Sequence, residues 1–349
     1  MEMITRRNKT SIVIQEGNEY PRIVDFLCAD LDFQRVHLQY GSPVACGKLT
    51  LLRKLLVNSL SFLNYLRQGR NFEEIIVFGH IGIMVRLLGR LRIIRYSKLF
   101  CLGFFVHSPR YFWILRIFLF DSPSDHYIVF SEHEVSLYHA YLRIDKSRMH
   151  HLRYVQWDRE LQGPMLARPE DAWPDAYYFS GGYSNRDFLS LIVAFQNLSA
   201  NLVIICSANN KELDDIEVPS NIKIFRDVSS ERFNAFVQHA KAGIIPLKHN
   251  TGACGQSVML RLMRYKKAVI ASDIAVIRDY IDNGVTGFLV EDTAGELPAI
   301  VKRFEAEPCL AANMGLAAYH LYQTRFSSQA GFSALRQILG RVDEAAIAS

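Results

Sequence analysis

The segment Asn250 to Asp273, NTGACGQSVMLRLMRYKKAVIASD, gathers residue types that bind anions. Gly252, Gly255 and Ser257 lead into a helical pattern whose apolar face is Val258, Met259, Leu262 and Met263. A helix entered through glycines offers unpaired backbone N–H groups and the positive end of its dipole, so a phosphate can come close. Lys248, Arg261, Arg264, Lys266 and Lys267 lie in or beside the segment, and no Asp or Glu occurs from Arg232 to Ser272. Two readings stay open here. Either phosphate binds, or C-terminal cations simply complement the helix dipole while small residues fill an ordinary turn. Metal chemistry finds no support, because Cys28, Cys46, Cys101, Cys206, Cys254 and Cys309 are scattered, with no CxxC pair and no Cys/His cluster at zinc spacing.

The elements that must position these residues alternate between short β-rich runs and helical patterns, the signature of parallel sheets wrapped by helices. In the first half the strand candidates are TSIVIQ, QRVHLQY, EEIIVFG, KLFCLGFFVH and DHYIVFS, and the clearest helix is LTLLRKLLVNSLSFLNYLRQ. The stretch WDRELQGPMLARPEDAWPD, with three prolines and mixed charge, reads as a linker. Alternation then restarts with AYYFSGG, NLVIICS, IKIFRD, AGIIPL, AVIAS and GFLV. With 349 residues, too many for one compact unit of average size, the pattern predicts two doubly wound α/β domains. Their expected bounds are 1–160 and 176–326, with a linker over 161–175 and a final helix, 327–349, that packs back on the first domain.

A formal charge of +5 says little until its distribution is known. From Ile75 to Phe120 there is no acidic residue, while Arg86, Arg90, Arg92, Arg95, Lys98, Arg110 and Arg116 lie among Ile, Leu, Phe and Trp113. Region 83–116 therefore suits adsorption to an anionic membrane, or its cations snorkel from buried elements. Nucleic acid is not expected, since no binding module accompanies the basic residues. The N-terminus lacks the apolar core of a signal peptide, and arginines interrupt the apolar runs, so the chain is expected in the cytoplasm, at most at the inner face of its membrane.

The run KKAVIASDIAVIRDYIDNGVTGFLVEDTAGELPAIVKRF resembles the donor-side segment of glycosyltransferase family 4 enzymes of the GT-B fold. YYFSGGYSNRDFLSLIVAF resembles their first C-domain strand, glycine loop and following helix, and SSERFNAFVQHAKAGIIPL a further element, all in family order. Likeness in the first half is thinner: FFVHSPR, IVFSEHEVSLY and RYVQWD resemble family segments, but QEGN stands where a glycine pair is usual. The resemblance implies two Rossmann-like domains facing each other across a cleft, and transfer of a hexose from a nucleotide diphosphate sugar to a glycan or lipid-linked acceptor. It further implies retained anomeric configuration, with neither metal nor cofactor.

Carried over by position, Gly181 and Gly182 form the glycine loop and Arg186 the diphosphate-binding cation. His107 would contact the donor sugar near the reacting carbon, with His80 a weaker candidate. Where the family carries a pair of glutamates, this chain has Ala253 and Arg261, neither of which accepts a hydrogen bond through its side chain. Gly255, Gln256 and Ser257, with Lys248, would then have to serve the donor through backbone N–H groups and the Gln256 amide. The loss leaves open a donor-binding subunit without transferase activity, and a GT-B sugar-nucleotide epimerase is a further alternative.

Overall fold

The computed structural model describes residues 10–16, 21–38, 62, 65–66, 70–79, 81–103, 122–155, 165–248 and 254–341. They divide into two units, one drawn from residues 1–152 and 334–349, the other from 153–333. The first holds a parallel sheet of β1 (Thr10–Glu16), β2 (Gln34–Leu38), β3 (Asn71–Phe78), β4 (Arg95–Leu102), β5 (Asp125–Val129) and β6 (Met149–His151). Their order is β2-β1-β3-β4-β5-β6. Helices α1 (Pro21–Asp30), α2 (Ile81–Arg90) and α3 (Glu132–Leu142) flank it. Alternate strand residues Ile12, Ile14, Ile75, Val77, Leu99, Cys101, Tyr127 and Val129 share one core. The C-terminal segment is tied to this unit by arginines: Arg336 lies 3.4 Å from Asp30, and Arg341 pairs with Glu74 at 2.9 Å and donates to the Leu31 carbonyl.

The second unit repeats the plan with β7 (Tyr177–Gly181), β8 (Asn201–Cys206), β9 (Ile222–Arg226), β10 (Ala242–Ile245), β11 (Ala268–Ser272) and β12 (Gly287–Val290). These strands, all parallel, lie in the order β12-β11-β10-β7-β8-β9. The helices are α4 (Phe188–Phe195), α5 (Ser230–His239), α6 (Gln256–Arg264), α7 (Ala275–Arg278), α8 (Thr293–Ala306) and α9 (Pro308–Leu321); after a π-helical turn comes α10 (Ser328–Ile338), whose residues from Ala334 on belong to the first unit. Both sheet faces are covered: Tyr177 and Phe179 point into one core and Tyr178 into the other, which is why these strands read as continuous apolar runs.

Because β7 is followed on one side by β8 and on the other pairs with β10, the order reverses between β7 and β10. The crevice outside the carboxyl ends of such strands is where doubly wound sheets hold ligands. Gly243 in β10 lets α6 pack closely on the sheet, since a Cβ there would lie 2.1 Å from Leu262 Cδ1. Gly315 lets α9 pack on the turn between α6 and β11, where a Cβ would stand 2.1 Å from the Lys266 carbonyl oxygen. Backbone cannot yield as a side chain can. Gly315→Ala is therefore expected to destabilise the second unit by about 2 kcal/mol. Calorimetry should show its melting midpoint lowered by roughly 4–8 °C, and an unchanged midpoint would mean that α9 slides freely on the turn after α6.

Candidate functional site

At the reversal point two loops are stitched together, the one after β7 and the one after β10. Asn185, at φ 56°, donates through Nδ2 to the Lys248 carbonyl at 3.0 Å and to Cys254 Sγ at 3.2 Å. Lys248 N donates to the Asn185 carbonyl, Asp187 N to that of Pro246, and Arg186 bridges to Leu247. Ser272 Oγ, at the end of β11, accepts from Leu247 N at 2.8 Å. The loops are thus held from three strands.

Gly181 closes β7 where no side chain fits: a Cβ would lie 2.7 Å from Cζ of both Phe179 and Phe233. Gly182 has φ +124°, and the space beside it holds the Arg186 guanidinium. Arg186 is 4 % exposed, donating from Nε to the Gly181 carbonyl at 3.0 Å and from Nη1 to that of Ser184 at 2.7 Å. No carboxylate among the described residues pairs with it. Its neighbour Asp187 is committed as the N-cap of α4, accepting from Ser190 N and Oγ. Burial lowers the Arg186 pKa from the ordinary guanidinium value to about 10, partly offset by nearby Cys254. A guanidinium stays charged at neutral pH even so.

Helix α6 opens at Gly255, φ 93°, with no side chain capping its first turn. Its leading N–H groups therefore lack an intrahelical partner. Gln256, 6 % exposed, holds its amide Nε2 buried and without a hydrogen-bond partner, and Ser257 is half-buried. From the same helix Arg261 lies with its guanidinium 5.4 Å from the Phe233 ring, Nη1 3.4 Å from Asn234 Oδ1 and Nε buried without a partner. Lys248 is exposed. Gly181, Gly182, Arg186, Lys248, Gly255, Gln256, Ser257 and Arg261 therefore belong to one sheet edge, rich in donors.

Other cations of the opening segment do not join them. Arg264, Lys266 and Lys267 sit at the far end of α6, about 13 Å of helix from Gly255. There Arg264 lies in the last turn, Lys266 faces the Tyr319 ring at 5.2 Å, and burial lowers the Lys267 pKa. His107, His80, Ala253 and Gly252 lie outside the described residues. So does the later part of the basic apolar region, with Arg110, Trp113 and Arg116. Of its described members, Arg86 is no surface cation: it is 3 % exposed, with Nε 3.1 Å from Asp125 Oδ2. Sequence reasoning missed Asn185, Cys254 and Ser272, the stitches of the loops. A signal existed in Asn185, since asparagine is enriched at positive φ.

Among the described residues no group of three or more His, Cys, Asp or Glu could hold a metal ion, and no helix is long and apolar enough to cross a membrane.

Residues 178–304 match the family model described as glycosyl transferases group 1. No curated protein matches in sequence. Among solved structures, an Anabaena protein, Alr3699/HepE, in complex with UDP and glucose is similar with a TM-score of 0.70 and 11% identity, covering 96% of this chain and 100% of that one. Sucrose-phosphate synthase (tll1590) from Thermosynechococcus elongatus gives 0.68 and 14%, over 91% of this chain and 84% of its own. The lipopolysaccharide outer core galactosyltransferase WaaB in its apo form gives 0.65 and 13%, over 96% and 100%. At these identities the likeness is one of fold. The chain is thus built of two Rossmann-like doubly wound domains of the GT-B fold, the second of which resembles group 1 glycosyltransferases.

Proposed function

We propose that the protein is a glycosyltransferase that moves a hexose from a nucleotide diphosphate sugar to a glycan or lipid-linked acceptor, as in the assembly of surface polysaccharides or glycolipids. One observation carries this reading: the buried Arg186 has no acidic partner among the described residues and lies in the loop stitched to the one that opens α6. Burying a charge unpaired is costly, so such a group persists where a ligand completes it. As the bond from the anomeric carbon to the diphosphate oxygen breaks, negative charge grows on the leaving group. Arg186, the α6 N–H groups and the Gln256 amide are donors suited to receive it. The match to group 1 glycosyltransferases supports the same reading, as does the fold neighbour bound to UDP and glucose.

In this proposal anomeric configuration is retained and neither metal nor cofactor takes part. His107 contacts the sugar, and Gly181, Gly182, Lys248, Gly255, Ser257 and Arg261 surround the nucleotide diphosphate. Transfer takes place in the cytoplasm, at the membrane face when the acceptor is lipid-linked.

The test is to titrate the purified chain with a panel of UDP- and GDP-sugars, following binding by calorimetry and nucleotide release in the presence of candidate acceptors. Saturable binding with acceptor-dependent release is the expected result, and absence of binding to every donor would overturn it. A second reading, a donor-binding subunit without turnover, draws on Arg261, a donor-only side chain set against Phe233 where the resemblance implies a carboxylate. Binding without release under any acceptor would select it.

A further inference from the structure

Arg186, Lys248 and Arg261 form no ion pair among the described residues, and the carboxylates that stand at the same edge of the second sheet are engaged elsewhere. Asp187 caps α4, accepting from Ser190 N and Oγ. Asp227, after β9, accepts from Ala208 N at 3.0 Å. Asp273, after β11, is gripped by Nε and Nη2 of Arg278 at 2.6 and 2.9 Å, and Glu291 acts on the same arginine. Asp292 caps α8 through Ala294 N, while Glu296 accepts from the amides of Glu291 and Asp292. Glu231 stands in the first turn of α5, where the helix dipole favours a carboxylate.

The three cations are not equivalent. Arg186 is turned onto the carbonyls of Gly181 and Ser184, and Arg261 is laid over Phe233 with Nη1 toward Asn234. Lys248 differs in having a fixed backbone and an uncommitted side chain. Its N–H donates to the Asn185 carbonyl at 3.2 Å, and its own carbonyl accepts from Asn185 Nδ2 at 3.0 Å. Its ammonium is exposed, with no hydrogen bond among the described residues. The fold therefore presents a compact point charge on a flexible stem at the start of the segment that leads into α6.

A nucleotide diphosphate sugar with a neutral hexose brings two negative charges, both on the diphosphate. Arg186 and the amino end of α6 already suit them, which leaves Lys248 without a counter-charge. Resting on the donor reading above, we propose that the hexose is a hexuronic acid whose C6 carboxylate pairs with the Lys248 ammonium. A carboxyl group of this kind is ionised at neutral pH. No Asp or Glu from Arg232 to Ser272 repels it.

The test compares donors that differ only at C6: UDP-glucose with UDP-glucuronate, UDP-galactose with UDP-galacturonate, and GDP-mannose with GDP-mannuronate. Each is titrated calorimetrically into the full-length chain. In at least one pair the acid should bind about tenfold more tightly or better, as a charge-assisted hydrogen bond gives. Lys248→Gln should abolish that preference while affinity for the neutral member stays within about twofold, Lys248→Arg should keep it, and Lys248→Glu should invert it. The ratio of acid to neutral affinity is the deciding readout, because a variant that merely loosens the loops weakens both members alike. If the neutral member of every pair binds as tightly as the acid, the inference falls and the donor reading stands. Equal loss of both members in Lys248→Gln also overturns it, placing the ammonium on the diphosphate, as does an acid preference that survives that variant. Absence of binding by all six donors brings down the donor reading itself, and this inference with it.

Discussion

Replacing Arg186 by glutamine is expected to lower donor affinity and turnover by about 100- to 1,000-fold, the usual consequence of removing a preorganised donor to developing charge. The fold should not suffer in proportion. In the absence of donor the wild-type guanidinium is a buried cation whose hydrogen-bond partners among the described residues are the carbonyls of Gly181 and Ser184. Burial lowers its pKa from the ordinary guanidinium value to about 10, a penalty of roughly 3 kcal/mol. The sign follows from a folded value below the unfolded one. The penalty is full at every pH below about 10 and is relieved only as pH rises from there toward the ordinary guanidinium value. At neutral pH, then, Arg186→Gln removes that penalty and gives up two hydrogen bonds worth about 1 kcal/mol each. The melting midpoint without donor should stay the same or rise. The further rise that a saturating nucleotide sugar gives the wild type should vanish, since ligand stabilisation scales with the logarithm of ligand concentration over Kd. A variant that keeps this donor-induced rise would show that Arg186 is not where the diphosphate rests.

Much of this site was legible in the sequence because its parts are local. Gly181, Gly182 and Arg186 fall within six residues, and Gly255, Gln256 and Ser257 are consecutive, so a strand-to-helix corner fixes their geometry wherever the fold places it. Strand candidates of the second unit coincide with β7 to β12, since strands buried on both faces leave unbroken apolar runs. By contrast β6, Met149–His151, is too short and too polar to stand out.

What escaped the sequence depends on distant partners. Arg86 reads as one of a row of surface cations, yet it is buried because Asp125, on a strand two positions further along the sheet from β3, neutralises it. Asp187 beside Arg186 would be taken as its counter-ion, but capping of α4 claims it. Arg264, Lys266 and Lys267 belong to the far end of α6, so of the two readings left open for that segment the phosphate one loses these three cations. The phosphate reading rests on the amino end, while the carboxyl end follows the dipole.

The pair Gly181→Ala and Gly182→Ala separates packing from ligand binding within one dipeptide. At Gly181 an added methyl meets the ring ends of Phe179 and Phe233, both core residues, at 2.7 Å. Overpacking of this kind costs about 1–3 kcal/mol. It reaches the site only indirectly, through Phe233 and the Arg261 guanidinium above it, so donor affinity should fall by no more than about tenfold. At Gly182 the methyl meets Arg186 first, at 2.3 Å from Nη2, 2.7 Å from Cζ and 2.8 Å from Nε. Backbone at φ +124° adds strain of about 1–3 kcal/mol for any other residue. The guanidinium has to leave the Gly181 carbonyl, so affinity should fall about as far as in Arg186→Gln, by roughly 100-fold or more, with stability falling too. The double variant Gly182→Ala/Arg186→Gln decides the cause. If the glycine acts through the arginine, the two losses of donor affinity do not add, whereas the backbone strain still lowers the melting midpoint in full. Additive losses of affinity would mean instead that the Gly182 backbone meets the diphosphate directly and that Arg186 is a second, independent contact.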